Sequence, residues 1–378
     1  MNREEEPAPE TTEERARSYS RRKRLLALAD FLLGVALLVM LLASGATHAL
    51  RDWALRLGSH LPVALWLYFV VFTAFFQALG LPLDFWRGYR LEHQFKLSRQ
   101  SFPSWLWDWL KAALLSFLFG LLAVQVIYAA LARWPATWWL VCAAAFTFFF
   151  LAMAQLAPVL LYPLFFKFEP LRDDELKQRL LRLSERVGAQ VRGVFLWKLG
   201  EKSRKANAAL AGWGRTRRIL LADTLVEKHA PEEIEVILAH ELAHHVHHDI
   251  GKGLLLQTAL TFLSFYAVHR ALAAWTVPLG FSGPADFANL PLLVLVSGAV
   301  ALAALPAANA FSRHLERQAD AFALRATGDR DAFIGAMEKL AAQNLAQRRP
   351  HPWIEFFFHS HPSIEKRVAF ARAWQAGA

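Results

Sequence analysis

The chain has 378 residues, 55% of them hydrophobic and 20% charged, with a formal net charge of +10. Its mean hydropathy is +0.25, too apolar for a typical soluble enzyme. The basic excess points to cationic loops against anionic lipid headgroups and not to nucleic acid, since no zinc finger, stacking motif or basic recognition helix is present. Cys142 is the only cysteine, which excludes an intrachain disulfide and a cysteine-rich metal site.

Taken in order, residues 1–20 are polar, carry both charge signs and read as a disordered tail. A basic cluster at 21–24 leads into an apolar run over 25–46, long enough to cross a bilayer. Further spans are expected at 61–85, 109–131 and 138–166, with Pro158 and Pro163 bending or breaking the last. Trp105, Trp107, Trp109, Trp134, Trp138 and Trp139 fall at span ends, where aromatic belts sit. Residues 21–168 therefore read as a four-span membrane bundle. Residues 169–253 are mixed in polarity, with an amphipathic helix over 173–187, strands over 191–199 and 218–221, and then a helix with ligand-type residues. Two more spans follow at 254–275 and 290–311. Residues 312–378 read as polar and amphipathic helices over 312–325, 331–346 and 362–376, with a loop rich in His and aromatics at 351–361. With six spans and residues 21–24 in the cytoplasm, Arg87, Arg90, Lys96, Arg99 and Lys111 fall on the same side, as do 167–253 and the C-terminal section. The opposite side carries few basic residues, in keeping with the positive-inside rule. The Arg/Ala/Leu-rich style points to a bacterial host, hence a multi-pass protein of the inner membrane with its site towards the cytoplasm.

The chemistry concentrates at His240-Glu241-Leu242-Ala243-His244. On a helix, residues four apart share a face, so both imidazoles can meet one metal ion, with Glu241 beside a bound water. The plain alternative is a His-rich surface helix, since His245, His247 and His248 crowd the segment. Two histidines leave a catalytic zinc one protein ligand short. Position 250 is Ile250, so a long-spaced third histidine is excluded. Glu316 and Asp320, also four apart, offer a third ligand and a hydrogen-bond acceptor that fixes an imidazole tautomer. Taken without a template, both are equally well read as solvated helix carboxylates.

Five segments, in order, resemble the Ste24-like CAAX prenyl protease family, the integral-membrane zinc metallopeptidases of the M48 class. They are 240–244; 312–322 (Ser-Arg-His-Leu-Glu-Arg-Gln-Ala-Asp-Ala-Phe); Asn207-Ala208 with Gly212, Gly214, Arg218-Ile219 and 223–225; 163–168, where Phe166 replaces the family's Asn; and 361–367, which opens His361-Pro362. The resemblance implies a mainly α fold: a polytopic helical bundle around an internal chamber, with a small α+β zincin-like domain. It implies one zinc ion per chain, held by His240, His244 and Glu316, with Glu241 as general base and His361 as donor to the oxyanion. His359 and His351 are lower-ranked rivals for that last role. Asn207 and Ala208 are expected on a strand edge that pairs with substrate, and Arg367 is expected to anchor the terminal helix by a salt bridge. The implied substrate is a peptide or protein, C-terminal or lipidated in the family, met at the membrane. Eukaryotic members have seven spans, against six counted here. Two alternatives are an HtpX-like quality-control peptidase, from shorter chains with fewer leading spans, and a transporter or scaffold with a vestigial zinc site.

Overall fold

The computed structural model describes residues 11–212 and 217–375; residues 1–10, Gly214 and residues from 376 onward lie outside them. Helix α1 (Thr12–Ala43) starts well before the basic cluster, so the expectation of a tail over 1–20 fails for residues 12–20. Thr11 and Glu14 form a reciprocal capping box there. Ala16 and Tyr19 are buried with Leu91, Phe95, Leu97 and Leu345. The polar composition concealed contacts made with residues far along the chain.

Gly45, at φ 71°, turns the chain from α1 into the short helix α2 (Ala46–Leu57). Helix α3 (Leu61–Phe85) runs through a π-helical turn at Trp86–Arg90 into α4 (Leu91–Gln94). Helices α5 (Phe102–Arg133), α6 (Trp138–Leu160) and α7 (Tyr162–Phe165) follow. Pro158 is carried inside α6, and the helix stops just before Pro163.

A four-stranded sheet comes next, from β1 (Phe168–Pro170), β2 (Val194–Trp197), β3 (Ala208–Ala211) and β4 (Arg218–Ala222), in the order β1-β2-β4-β3. β2 and β4 are parallel, and both outer pairings are antiparallel. Helix α8 (Asp174–Arg186) connects β1 to β2, and the single turn α9 (Asp223–Val226) leads from β4 into α10 (Pro231–Val246). The apolar faces of α8 and α10 close over the sheet in one core with Leu180, Leu221, Ile234, Leu242, Phe333 and Val368.

Helix α11 (Asp249–Trp275) returns to the bundle and packs along α6 and the long helix α12 (Leu290–Thr327). The expected span over 290–311 and the expected polar helix over 312–325 are therefore one uninterrupted helix of 38 residues, with Pro306 inside it. Helices α13 (Arg330–Asn344), α14 (Pro352–Phe358) and α15 (Ile364–Ala373) complete the chain. The bundle's own core gathers Tyr68, Tyr128, Trp138, Phe265 and Leu272, and Tyr128 donates to Asn289 Oδ1 at 2.6 Å. Leu25, Leu28, Phe31 and Leu32 stay exposed on α1, as a lipid-facing surface requires. Among the described residues five helices are long and apolar enough to cross a membrane: α1, α3 with its extension to Gln94, α5, α6, and α12 with its preceding turn. α11, expected as the fifth of six spans, is not one of them.

Candidate active site

α10 has the ingredients of a firm N-terminus. Pro231 occupies its first turn, where a missing N–H does no harm. Glu233 accepts from the Ala230 N–H at 2.9 Å and from Lys339 at 2.8 Å. Glu232 and Glu233 also sit at the positive end of the helix dipole. The apolar side of the helix is sunk into the core, which fixes its rotation and aims His240 and His244 together towards α12. The two imidazoles are perpendicular, with centroids 5.0 Å apart.

Glu316 reaches this pair from α12. Its Oε2 is 3.1 Å from His240 Nε2, and its Oε1 is 3.5 Å from His244 Nε2. One ligand-type atom from each residue lies within 4.8 Å of the others. The opposite ring nitrogens are also held. His240 Nδ1 is 2.9 Å from Asp320 Oδ1, and His244 Nδ1 is 3.0 Å from Asp249 Oδ2. A carboxylate at Nδ1 keeps the proton there and leaves the Nε2 lone pair free for a ligand. The Asp249 carboxylate is in turn held by Lys252 at 2.9 Å. Arg367 grips Asp320 with two nitrogens, at 2.9 and 2.5 Å. Its contact of 3.3 Å with His240 Nδ1 is the approach of two donors to the same carboxylate.

These residues fit a metal ion. Glu316 Oε2 is buried, yet no donor meets it in good hydrogen-bond geometry, although two imidazoles stand close. A lone pair in that position has lost its water and gained no proton donor, and a shared cation would satisfy it. The electrostatics agree. Burial opposes a charged His240, yet the nearby Asp320 and Glu316 carboxylates prevail and push its imidazole up to about 9, so the pocket favours positive charge. Burial raises the Glu241 carboxyl, and the neighbouring His240 and His244 only partly oppose this. Glu241 lines a cavity of about 360 Å³ together with His244, Glu316, Ala209 and Leu210.

His361 Nδ1 is 2.7 Å from Glu316 Oε2, on a side chain 59% exposed at the mouth of the site. α12 holds this segment by its backbone. Arg313 donates to the carbonyls of Glu355 and His359 at 3.0 and 2.6 Å, and Asn309 donates to Phe357 O at 2.6 Å. His351 caps the start of α14 instead. His247 packs edge-on against Phe322, and His248 takes a left-handed turn at φ 56° between α10 and α11. Nothing in the sequence spacing marks Asp249, since its approach to His244 depends on that turn.

β3 is the outer strand on the site's side of the sheet. Asn207 and Ala208 lie at its start, but they differ in availability. The Asn207 carbonyl accepts from the Ala222 N–H at 2.9 Å, so it belongs to the β4 ladder. Ala208 is the next residue, and in an antiparallel pair its backbone groups point the other way, to the open side. The Asn207 carbonyl is thus taken by β4, and the outward backbone groups along the strand belong to Ala208 and Leu210.

Comparison with known proteins accords with this geometry. Residues 170–375 match peptidase family M48, and residues 5–167 match the CAAX prenyl protease N-terminal region, described as five membrane helices. The metalloprotease YhfN of Bacillus subtilis (strain 168) is 30% identical over 361 residues, covering 94% of this chain and 84% of its own. CAAX prenyl protease 1 of Saccharomyces cerevisiae is 28% identical over 309 residues, covering 77% and 68% respectively. The crystal structure of S. mikatae Ste24p superposes with a TM-score of 0.86 at 23% identity, covering 96% of this chain and 89% of that one. The chain belongs to peptidase family M48, as a Ste24-like, multi-pass membrane metalloprotease.

Proposed function

We propose that the metal is zinc, one ion per chain, held by His240, His244 and Glu316, and that Glu241 is the general base of peptide hydrolysis. The observation that carries this is the convergence of two Nε2 atoms and one carboxylate within 4.8 Å, each imidazole backed by a second carboxylate. Two imidazoles and a carboxylate are a catalytic zinc donor set. When bound, zinc would acidify water and polarise the scissile carbonyl. Glu241, raised by burial, accepts the water proton and hands it to the leaving amine. His361, at the mouth, donates to the oxygen that becomes negative. Ala208 and Leu210 pair with an extended substrate through their outward backbone groups. Asp320 and Asp249 hold the tautomers, and Arg367 holds Asp320.

The substrate is a peptide or protein tail that enters the bundle extended, C-terminal or lipidated as the names of the relatives imply. α11 serves as a sixth span, and the basic loops support a metal site at the cytoplasmic face of a bacterial inner membrane. The match of residues 5–167 to the CAAX prenyl protease N-terminal region favours this reading over an HtpX-like one. A scaffold with a vestigial site has no use for a buried carboxylate beside the ligands. The test is Glu241→Gln in the purified full chain, with metal content and peptide cleavage measured together. Retained zinc with cleavage lost by at least about a hundredfold is expected. Undiminished cleavage in a metal-loaded variant would remove Glu241 from the mechanism.

A further inference from the structure

The open edge of β3 has a closed end. Antiparallel pairing turns alternate residues towards the neighbouring strand and away from it. Asn207 faces β4, so the outward positions along this stretch are Arg204, Ala206, Ala208 and Leu210. The first two are already occupied. The Ala206 N–H donates to Asn344 Oδ1 at 2.8 Å, and Asn344 Nδ2 donates back to Ala206 O at 3.2 Å. One side-chain amide thus makes both bonds that a partner strand would make. Two residues earlier, the Arg204 N–H donates to Leu97 O at 2.8 Å, and Gln343 Nε2 donates to Arg204 O at 2.9 Å. Ser203 forms an antiparallel bridge with Ser98. Among the described residues, Ala208 and Leu210 have no such partners.

We propose that Asn344, backed by Gln343 and Leu97, is a stop for the substrate strand and makes the groove blind at that end. This rests on the edge-pairing reading above. His244, Glu316 and Glu241 share their cavity with Ala209 and Leu210. A peptide paired residue for residue has room for about three or four residues between that point and the stop. The opposite end is different. Ala211 and Gly212 open onto a cavity of about 770 Å³ lined by Phe166, Phe195 and Arg218. The long part of the substrate leaves on that side, and the short part ends at Asn344. The fold thereby selects bonds close to one end of an extended chain and sets the size of the small product.

The experiment uses the full-length, metal-loaded protein in proteoliposomes and a quenched peptide whose single cleavage site is mapped by mass spectrometry. Two series lengthen this peptide by Ser-Gly repeats, one on each side of the scissile bond. On one side only, kcat/KM should fall about tenfold once the extension passes three or four residues, the worth of a lost pair of backbone hydrogen bonds. Asn344→Ala frees one further outward position. It should raise the long-to-short rate ratio about tenfold and shift the length limit by about two residues, one ladder repeat. Melting temperature and metal content are followed in the same samples, and if the variant fails to fold, the wild-type series decides. Equal tolerance of long extensions on both sides overturns the blind end, as does a folded Asn344→Ala with an unchanged ratio. Failure of the metal-loaded protein to cut any peptide overturns the protease reading beneath it, a distinguishable result.

Discussion

Asp320 is almost fully buried, and it accepts from Arg367 while supporting His240. Removing either partner of a buried charge pair leaves the other uncompensated, at a cost of about 3–5 kcal/mol. Arg367→Ala should therefore lower the unfolding free energy by about that much, measured by thermal or denaturant melts of the metal-free protein. Arg367→Lys should rescue only part, because a lysine cannot match both carboxylate oxygens. Glu316→Ala should empty the site at micromolar free zinc, while Asp320→Ala weakens binding about 10–100-fold, as loss of a ligand's supporting carboxylate does. Metal analysis of both purified variants decides, and full occupancy without Glu316 would point to another ligand. At this scale the sequence is informative where one helix supplies a pair. The spacings of His240 with His244, and of Glu316 with Asp320, can be read from helical periodicity alone. Which helix faces which is not periodic information, and the family resemblance supplied it. Asp249 and Asn344 escape both routes: one depends on a left-handed backbone and the other on a meeting across 138 residues.

The elements meet at junctions that composition does not signal. Between α10 and α11 the chain turns at His248, a residue with a Cβ held at φ 56° and ψ 33°. The sequence predicts a break near here, between a ligand helix and a span from 254, but no glycine or proline at position 248 marks the left-handed turn itself. The turn brings Asp249 back beneath His244. A branched side chain resists that conformation. His248→Val should cost about 1–2 kcal/mol of stability and weaken metal binding, whereas His248→Gly should keep the metal. Equal metal affinity and equal melting in the two variants would show that the turn does not matter. α1 teaches a related lesson. Its first two turns read as solvated tail, yet Tyr19 donates to Glu92 at 2.5 Å and Lys205 pairs with Glu92 at 2.8 Å, just ahead of β3. The start of the first helix thus braces the approach to the edge strand.

For the whole molecule, the six-span reading places both ends of the metal site on one side of the bilayer. Cysteines introduced at Gly251 and Ser312, in a Cys142→Ser background, should react with an impermeant thiol reagent only from the cytoplasmic face of sealed vesicles. Labelling of both only from the other face would invert the topology. The length of α12 has a further consequence. At 1.5 Å per residue its 38 residues make a rod of about 57 Å, with the bilayer gripping one part and Glu316 fixed on the other. His240 and His244 ride on a helix packed into the sheet domain. The Glu316 part of the rod is packed into that same domain, since Ala323 and Leu324 belong to the core that holds α10. A rod whose apolar portion no longer matches the surrounding acyl chains tilts to compensate, and tilt at one end becomes displacement at the other. Here the Glu316 end shares a core with α10, so a tilt of the lipid-facing part must be taken up within the rod, and Pro306 is the place where a helix bends most readily.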